Sequence, residues 1–234
     1  MPSGLLAYGG DLLPGTLLSA YCQGIFPWYS ADEPILWWSP NPRCILFRDE
    51  FHIGSRSRRR IRNSGFCWSV DLAFEEVLIG CAMPRRDCAD TWLVPEMQAA
   101  YMRMFELGYA HSFEIWQEER LVGGLYGLGL GSVFFGESMF RLASEASRAA
   151  LVCLIALMKR LDIALLDCQV TSSHMLAMGA REVSRGIFLK MLVHAGLDDP
   201  DMIARGSWAA YARAIGEICG MRPRLKRQPG PGPG

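Results

Sequence analysis

The stretch LLDCQVTSSH (165–174) sets an acid, a thiol, an amide and an imidazole directly behind an apolar run. Two chemistries are open to it. Cys168 with His174 could serve as a nucleophile and its base, or Asp167 with Gln169 could hold and orient a polar substrate group. Strand geometry separates them. Successive side chains on a strand point to opposite faces, so Asp167 and Gln169 share one face while Cys168 joins Leu166 on the other. The acid and the amide then emerge together at the carboxyl end of a buried strand, where open sheets commonly bind ligands. A helix cap beside a hydrogen-bonded amide is the plainer alternative. The thiol dyad would need Cys168 turned to the polar face, so it is set aside.

Three other groups could act. In GESMF, Glu137 follows an apolar stretch, where a carboxylate could receive a cationic group or simply sit on a rim. Arg56, Arg58, Arg59, Arg60 and Arg62 crowd into GSRSRRRIR. Guanidinium forks at that density match phosphate oxygens. In a chain of no net charge their mutual repulsion argues for a use beyond solvation. Trp28, Trp37, Trp38 and Trp92 sit in segments broken by Pro; they could stack on bases or pack between domains.

The elements that must position these groups follow from periodicity. The first forty residues are short apolar runs cut by Gly and Pro, which predicts a small irregular N-terminal module. A helix is expected from Pro95, with Gly108 as its C-terminal cap. HSFEIWQ, LVGGLYGLGLG and SVFFGESMF read as three strands. A helix with Ser144 as N-cap should run to Leu161, followed by the strand IALLDCQV. Ser172 or Ser173 should cap a short helix ending at Gly179, and GIFLKMLVHAG closes the regular part. The fold class is α+β with a mixed sheet. The expected division is 1–43 as the N-terminal domain, 44–220 as the main domain, and 221–234 as a disordered basic Pro/Gly tail.

Composition bounds the rest. Of the 234 residues 50% are hydrophobic and 21% charged, with 24 Lys+Arg against 24 Asp+Glu. That describes a folded chain with a real core and no global attraction to nucleic acid or membrane, so a charged partner needs a local patch. The eight cysteines form no CxxC pair and no zinc-like cluster. No charged-then-apolar leader opens the sequence, and a cytoplasmic protein with reduced thiols is expected. The apolar run Ala149–Met158 is too short for a bilayer, which needs roughly 20 residues. GGLYGLGLG fits neither a dinucleotide nor a P-loop pattern. It also misses the acetyl-coenzyme A loop [QR]-x-x-G-x-[GA], since the register from Arg120 ends on Leu125.

Taken in order, GLLAYGGDL, YCQGIFPWYS, PILWWSPNPR, DTWLVPEM, LGYAHSFEIW, LVGGLYGL, FFGESMF, EASRAAL, DCQV and H-x-x-x-MGA from His174 resemble the leucyl/phenylalanyl-tRNA–protein transferase family. The resemblance spans about residues 4–195. It implies a small N-terminal domain plus a GNAT-like (acyl-CoA N-acyltransferase-like) domain. It also implies an enzyme that moves Leu, Phe or Met from aminoacyl-tRNA onto proteins with N-terminal Arg or Lys, marking them for degradation. By the same resemblance Asp167, Gln169 and Glu137 stand at the reacting centre, where Gln169 is expected to accept a hydrogen bond from the amine while Asp167 fixes its amide, and Trp28 and Trp92 hold the terminal adenosine. Arg56, Arg59 and Arg60 grip the acceptor region of the tRNA. Leu125, Phe134, Met139, Leu151, Leu154, Met158 and Leu166 form the apolar pocket for the transferred side chain. The ester is already activated, so no cofactor or metal is expected; a monomer without membrane attachment is expected as well. An acetyltransferase and a non-catalytic RNA-binding protein are the rival readings.

Overall fold

The computed structural model describes residues 4–83, 93–198 and 208–224, apart from the side chains of 209, 212 and 213. The N-terminal part holds β1 (Leu5–Tyr8), α1 (Pro14–Cys22), β2 (Phe26–Pro27) and β3 (Leu36–Trp38). Pro14 opens α1, where its missing N–H costs nothing, and Gly24 at φ 71° turns the chain out of it. The three strands form their own antiparallel sheet in the order β1-β3-β2.

The rest of the chain builds one large sheet and the helices on its two faces. In chain order these are β4 (Arg43–Phe47), α2 (Ser55–Arg62), β5 (Cys67–Val70), α3 (Phe74–Ala82), α4 (Pro95–Glu106), β6 (Ala110–Gln117), β7 (Arg120–Leu130) and β8 (Val133–Arg141). Then come α5 (Ala146–Arg160), β9 (Leu165–Gln169), α6 (Ser173–Leu176), β10 (Arg181–Val183), α7 (Arg185–His194), α8 (Trp208–Arg213) and β11 (Arg222–Pro223). The sheet has eight strands in the order β10-β4-β9-β8-β7-β6-β5-β11. Its pairs are antiparallel except β8 with β9 and β5 with β11. A parallel neighbour needs a crossover, and α5 supplies it between β8 and β9.

Each face of the sheet carries its own apolar cluster. Phe74, Val77, Leu78, Met97, Tyr101 and Met104 of α3 and α4 cover one face together with Leu17, Tyr21 and Phe26 of the N-terminal part. α5 covers the other with Ala149, Leu151, Cys153, Leu154, Leu157 and Met158. An α5 that is apolar all round would be unstable alone; against a sheet it buries ten residues.

β7 shows why the glycine run is there. Its odd positions face α5, and a Cβ at Gly123 would stand 2.5 Å from Ala146 Cβ. The glycines are clearance for a neighbouring helix and rings, as small residues in strands often are.

The expected central elements form, from the Pro95 helix, with Gly108 at φ 80° behind it, to the cap that Ser172 gives α6. Two details differ, and the arginine-rich segment, given no element from its sequence, forms one. The cap of α5 is Glu145 rather than Ser144; it takes the left-handed φ of 68°, and its carboxylate accepts from Arg148 at 2.9 Å. The arginine-rich segment is a helix, because Ile61 can be buried while every arginine points outward. Residues 221–224, expected within the tail, belong to the folded part. Met221 is buried, Arg222–Pro223 pair with β5, and the Arg224 guanidinium lies 4.3 Å from the Trp116 ring centroid. Among the described residues no helix is long and apolar enough to cross a membrane, and no group of His, Cys, Asp and Glu is placed to hold a metal ion.

Candidate active site

The centre of the site is a pair of β-bulges on adjacent strands. In the β7–β8 ladder Tyr126 faces Ser138 while Gly127 faces Gly136, which leaves Glu137 as the extra residue. In the β4–β9 ladder Cys44 faces Gln169 while Ile45 faces Asp167, which leaves Cys168 extra. A bulge breaks the two-residue period and re-aims the side chains around it. On β8 this puts Phe134 and Met139, of opposite parity, against the same apolar cluster. On β9 it leaves Gln169 at φ 60°, a conformation that costs a non-glycine residue on the order of 1–3 kcal/mol and recurs at functional sites.

Asp167 is fully buried, and its counter-ion is Arg43. Arg43 Nε donates to Oδ1 at 2.8 Å and Nη2 to Oδ2 at 2.6 Å, a two-pronged fit of guanidinium to carboxylate. The remaining prong, Nη1, donates to the Gly24 carbonyl at 3.0 Å. The guanidinium lies between the rings of Phe26 and Phe188, at 4.9 and 4.6 Å from their centroids. Elements from both ends of the chain thus converge on one ion pair. Asp167 Oδ1 also accepts the backbone N–H of Gln169 at 2.9 Å, which fixes the strained turn.

The amide of Gln169 is held by Glu137, not by Asp167. Gln169 Nε2 donates to Glu137 Oε1 at 2.9 Å, and the hydroxyl of Tyr101 donates to Oε2 at 2.7 Å. Tyr21 stands 2.6 Å from Tyr101. Because the Tyr101 proton goes to the carboxylate, Tyr21 is the donor in that pair. Toward an ionised Glu137, which only accepts, the amide turns its nitrogen, and Gln169 Oε1 is turned away, available to a donor. Burial pushes the Glu137 carboxyl up to about 7, and the charge of Asp167 adds to the rise, against the hydrogen bonds from Tyr101 and Gln169. Burial likewise raises Tyr21 and Tyr101 well above the ordinary phenol value, so both stay neutral donors.

The apolar residues named from the sequence lie together. Leu125, Phe134, Leu151, Leu154, Met158 and Leu166 are all 2% exposed or less and share one cluster, with Met139 half-buried against it. Leu166 belongs to this cluster and Leu165 to the opposite one, so β9 alternates as its sequence requires. Cys168 packs on the Leu166 side. Its thiol is pushed well above the usual range by the neighbouring Cys44 thiol and by burial, which makes it a poor nucleophile. His174 is half-buried on α6, and burial together with Arg148 and Arg141 lowers its pKa.

The five arginines of α2 are exposed and line two grooves. Arg56, Arg59, Arg60 and Asn63 border the larger, of about 630 Å³, with Ser144 and Glu145 opposite. Arg58, Arg59 and Arg62 border the other. Arg60 reaches Glu145 at 3.5 Å, which leaves its neighbours as the freer cations. Trp28 is half-buried, its ring 5.9 Å from that of Trp38, whose Nε1–H donates to the Trp28 carbonyl at 2.7 Å. Trp92 lies outside the described residues. Arg43, Tyr21 and Tyr101 escaped the sequence reading. The arginine sits in a Pro-broken segment that hides a strand, and both tyrosines carry helical spacing that reads as ordinary core.

Comparison with known proteins places most of the chain in one family. Residues 45–193 match the family model of the leucyl/phenylalanyl-tRNA protein transferase, and residues 10–41 match the model of its N-terminal domain. The chain is 49% identical to a leucyl/phenylalanyl-tRNA–protein transferase of Desulfatibacillum aliphaticivorans over 88% of each chain. It is 50% identical to one from Syntrophobacter fumaroxidans, covering 94% of this chain and 91% of the relative. For Alkalilimnicola ehrlichii the identity is 53%, over 83% and 76%. Likeness to the solved structure of L-PGS from Bacillus licheniformis is loose, at TM-score 0.39 and 13% identity over 64% of this chain and 48% of that one. With half its residues shared over most of its length, this chain belongs to the leucyl/phenylalanyl-tRNA protein transferase family.

Proposed function

We propose that this chain transfers leucine, and also phenylalanine or methionine, from aminoacyl-tRNA to the α-amino group of proteins that begin with Arg or Lys, marking them for degradation in the cytoplasm. The transferase domain is read as GNAT-like, and the chain as a monomer working without cofactor. The observation that carries the reading is the Gln169 amide. Its nitrogen is tied to Glu137 beside the apolar cluster, and its oxygen is left to accept a hydrogen bond from an incoming amine.

In this reaction the amine nitrogen forms a bond to the ester carbonyl carbon, and the bond from that carbon to the ribose oxygen breaks. The proton lost by nitrogen ends on the departing oxygen. An α-amino group has a pKa of about 7.7–8.0 and is partly neutral at physiological pH. A neutral amide has no useful basicity there. Glu137, at about 7, does. A base whose pKa lies near the working pH is the effective kind. In this assignment Gln169 Oε1 orients the amine, and Glu137 both fixes that amide and takes the proton. Orientation alone is a large effect, since well-placed groups reach effective molarities of roughly 10⁵ M or more. Asp167 and Arg43 are positioning residues that hold the bulge. Leu125, Phe134, Met139, Leu151, Leu154, Met158 and Leu166 receive the transferred side chain. Trp28 and Trp92 take the terminal adenosine, while Arg56, Arg59 and Arg60 take acceptor-stem phosphates.

The test supplies labelled Leu-tRNA to peptides beginning with Arg or with Met, beside labelled acetyl-coenzyme A. Label passing from Leu-tRNA to the Arg peptide alone is expected. Transfer of acetyl, or of leucine to both peptides alike, would overturn the assignment.

A further inference from the structure

The family model ends at residue 193, before α8. That helix plants Trp208 on the sheet face that carries the apolar cluster, where it is only 8% exposed. The Trp208 ring lies 5.5 Å from the ring of Phe134 at a 43° tilt, and 6.3 Å edge-on from Phe113. On its other side it stacks on the His111 imidazole, 4.1 Å between centroids and 11° from parallel. His111 in turn is held by Asp71, with Nδ1 and Oδ2 2.9 Å apart.

β7 is cut back for these rings. A Cβ at Gly129 would stand 2.3 Å from Trp208 Cζ2, and one at Gly127 would stand 2.7 Å from Phe134 Cε1. The two glycines give the two rings a flat floor. Phe134 is therefore boxed by Gly127 beneath, Phe113 at 6.0 Å and Trp208 behind. Trp208 cannot recoil, because the His111–Asp71 pair backs it.

We infer that Trp208 is a specificity-determining residue, which fixes the depth of the side-chain pocket by holding Phe134 in place. This inference rests on the proposed function, in which Phe134 lines that pocket. Close packing transmits such a constraint: removing a large buried side chain leaves space that its neighbours refill only in part. A pocket so enlarged should favour the bulkier donor. A change of one methylene in an apolar pocket already shifts discrimination by roughly 10-fold or more.

The experiment measures kcat/KM for Leu-tRNA and for Phe-tRNA, with one Arg-peptide acceptor, in the wild-type chain, Trp208→Ala and Trp208→Phe. The ratio of the two donors is insensitive to a smaller active fraction, so it distinguishes pocket depth from lost stability. Trp208→Ala should raise the Phe:Leu ratio about 10-fold, with Trp208→Phe in between. A ratio within twofold of wild type in the folded variants would overturn the inference. If circular dichroism finds Trp208→Ala unfolded, the ratio of Trp208→Phe decides alone, expected up about threefold and refuted by no change. A wild-type chain that transfers from neither tRNA would instead overturn the function on which the inference stands.

Discussion

In the proposed transfer Glu137 is the residue on which the chemistry turns, because it combines basicity near neutrality with a grip on the Gln169 amide. Its folded pKa lies above the ordinary carboxyl value, so it is protonated below about 7 and ionised above. The reactive state needs an ionised Glu137 and a neutral acceptor amine. Below both pKa values log kcat/KM should therefore rise with pH at a slope of about 2 in the wild type, and of about 1 in Glu137→Gln, where only the amine titrates. A steady-state pH profile from 5.5 to 9 on the Arg peptide checks this; equal slopes would remove Glu137 from the proton's path. Asp167 plays a different part. Asp167→Asn leaves the Arg43 guanidinium buried without its counter-charge, so it should lose stability by about 3 kcal/mol as well as rate. Thermal melts beside kinetics will separate the two losses, and an unchanged melting temperature would contradict the buried pair. Asp167, Gln169 and Glu137 were legible because acids and amides seldom follow long apolar runs. Their true pairing was not. The orientation of Gln169 by Glu137 rather than by Asp167 depends on where a neighbouring strand puts its bulge, and no local pattern encodes that.

At the scale of elements, alternation predicted the faces of β9 correctly up to Asp167, and helical spacing found α4 and α5. The bulges on β8 and β9 could not be read from one strand, since a bulge is a mismatch between two. They explain why Phe134 and Met139, odd in their relative spacing, serve one cluster. The helix α2 was hidden for another reason. Five arginines mask a single buried anchor, Ile61, and a one-residue apolar signal has no period. As a helix, α2 sets Arg56, Arg59 and Arg60 along one groove. Replacing Arg59 and Arg60 by Ala should weaken binding of all aminoacyl-tRNAs alike, whatever the amino acid. If both meet phosphates, the slope of log K against log salt should become shallower by about 1–2. Filter binding across a salt series measures it, and an unaltered slope would detach α2 from the tRNA.

Over the whole molecule, the site is a junction. Tyr21, Gly24 and Phe26 come from the N-terminal part, Tyr101 from α4, and Phe188 from α7, and all close on the bulged centre of the large sheet. Such long-range convergence is invisible to local periodicity, which is why Arg43 passed unnoticed in a Pro-rich segment. A second buried acid reports on the fold as a unit. Glu114 lies fully buried among Ser69, Ser112 and the Ala73 N–H, and burial pushes it to about 7. From about pH 4.5 to 7 the folded chain then holds a proton that the unfolded chain releases, so stability falls as pH rises through that window. Glu114→Gln should reduce the fall, leaving the part due to Glu137, and melting curves at pH 5, 6, 7 and 8 will show it; an unchanged pH dependence would contradict a raised Glu114. The central claim, that an oriented amide at Gln169 runs the aminolysis, has a direct test. In single-turnover transfer from saturating Leu-tRNA to an Arg peptide, Gln169→Ala should be slower by about 100-fold with tRNA affinity retained. A Gln169→Ala chain that transfers leucine at the wild-type rate would contradict it.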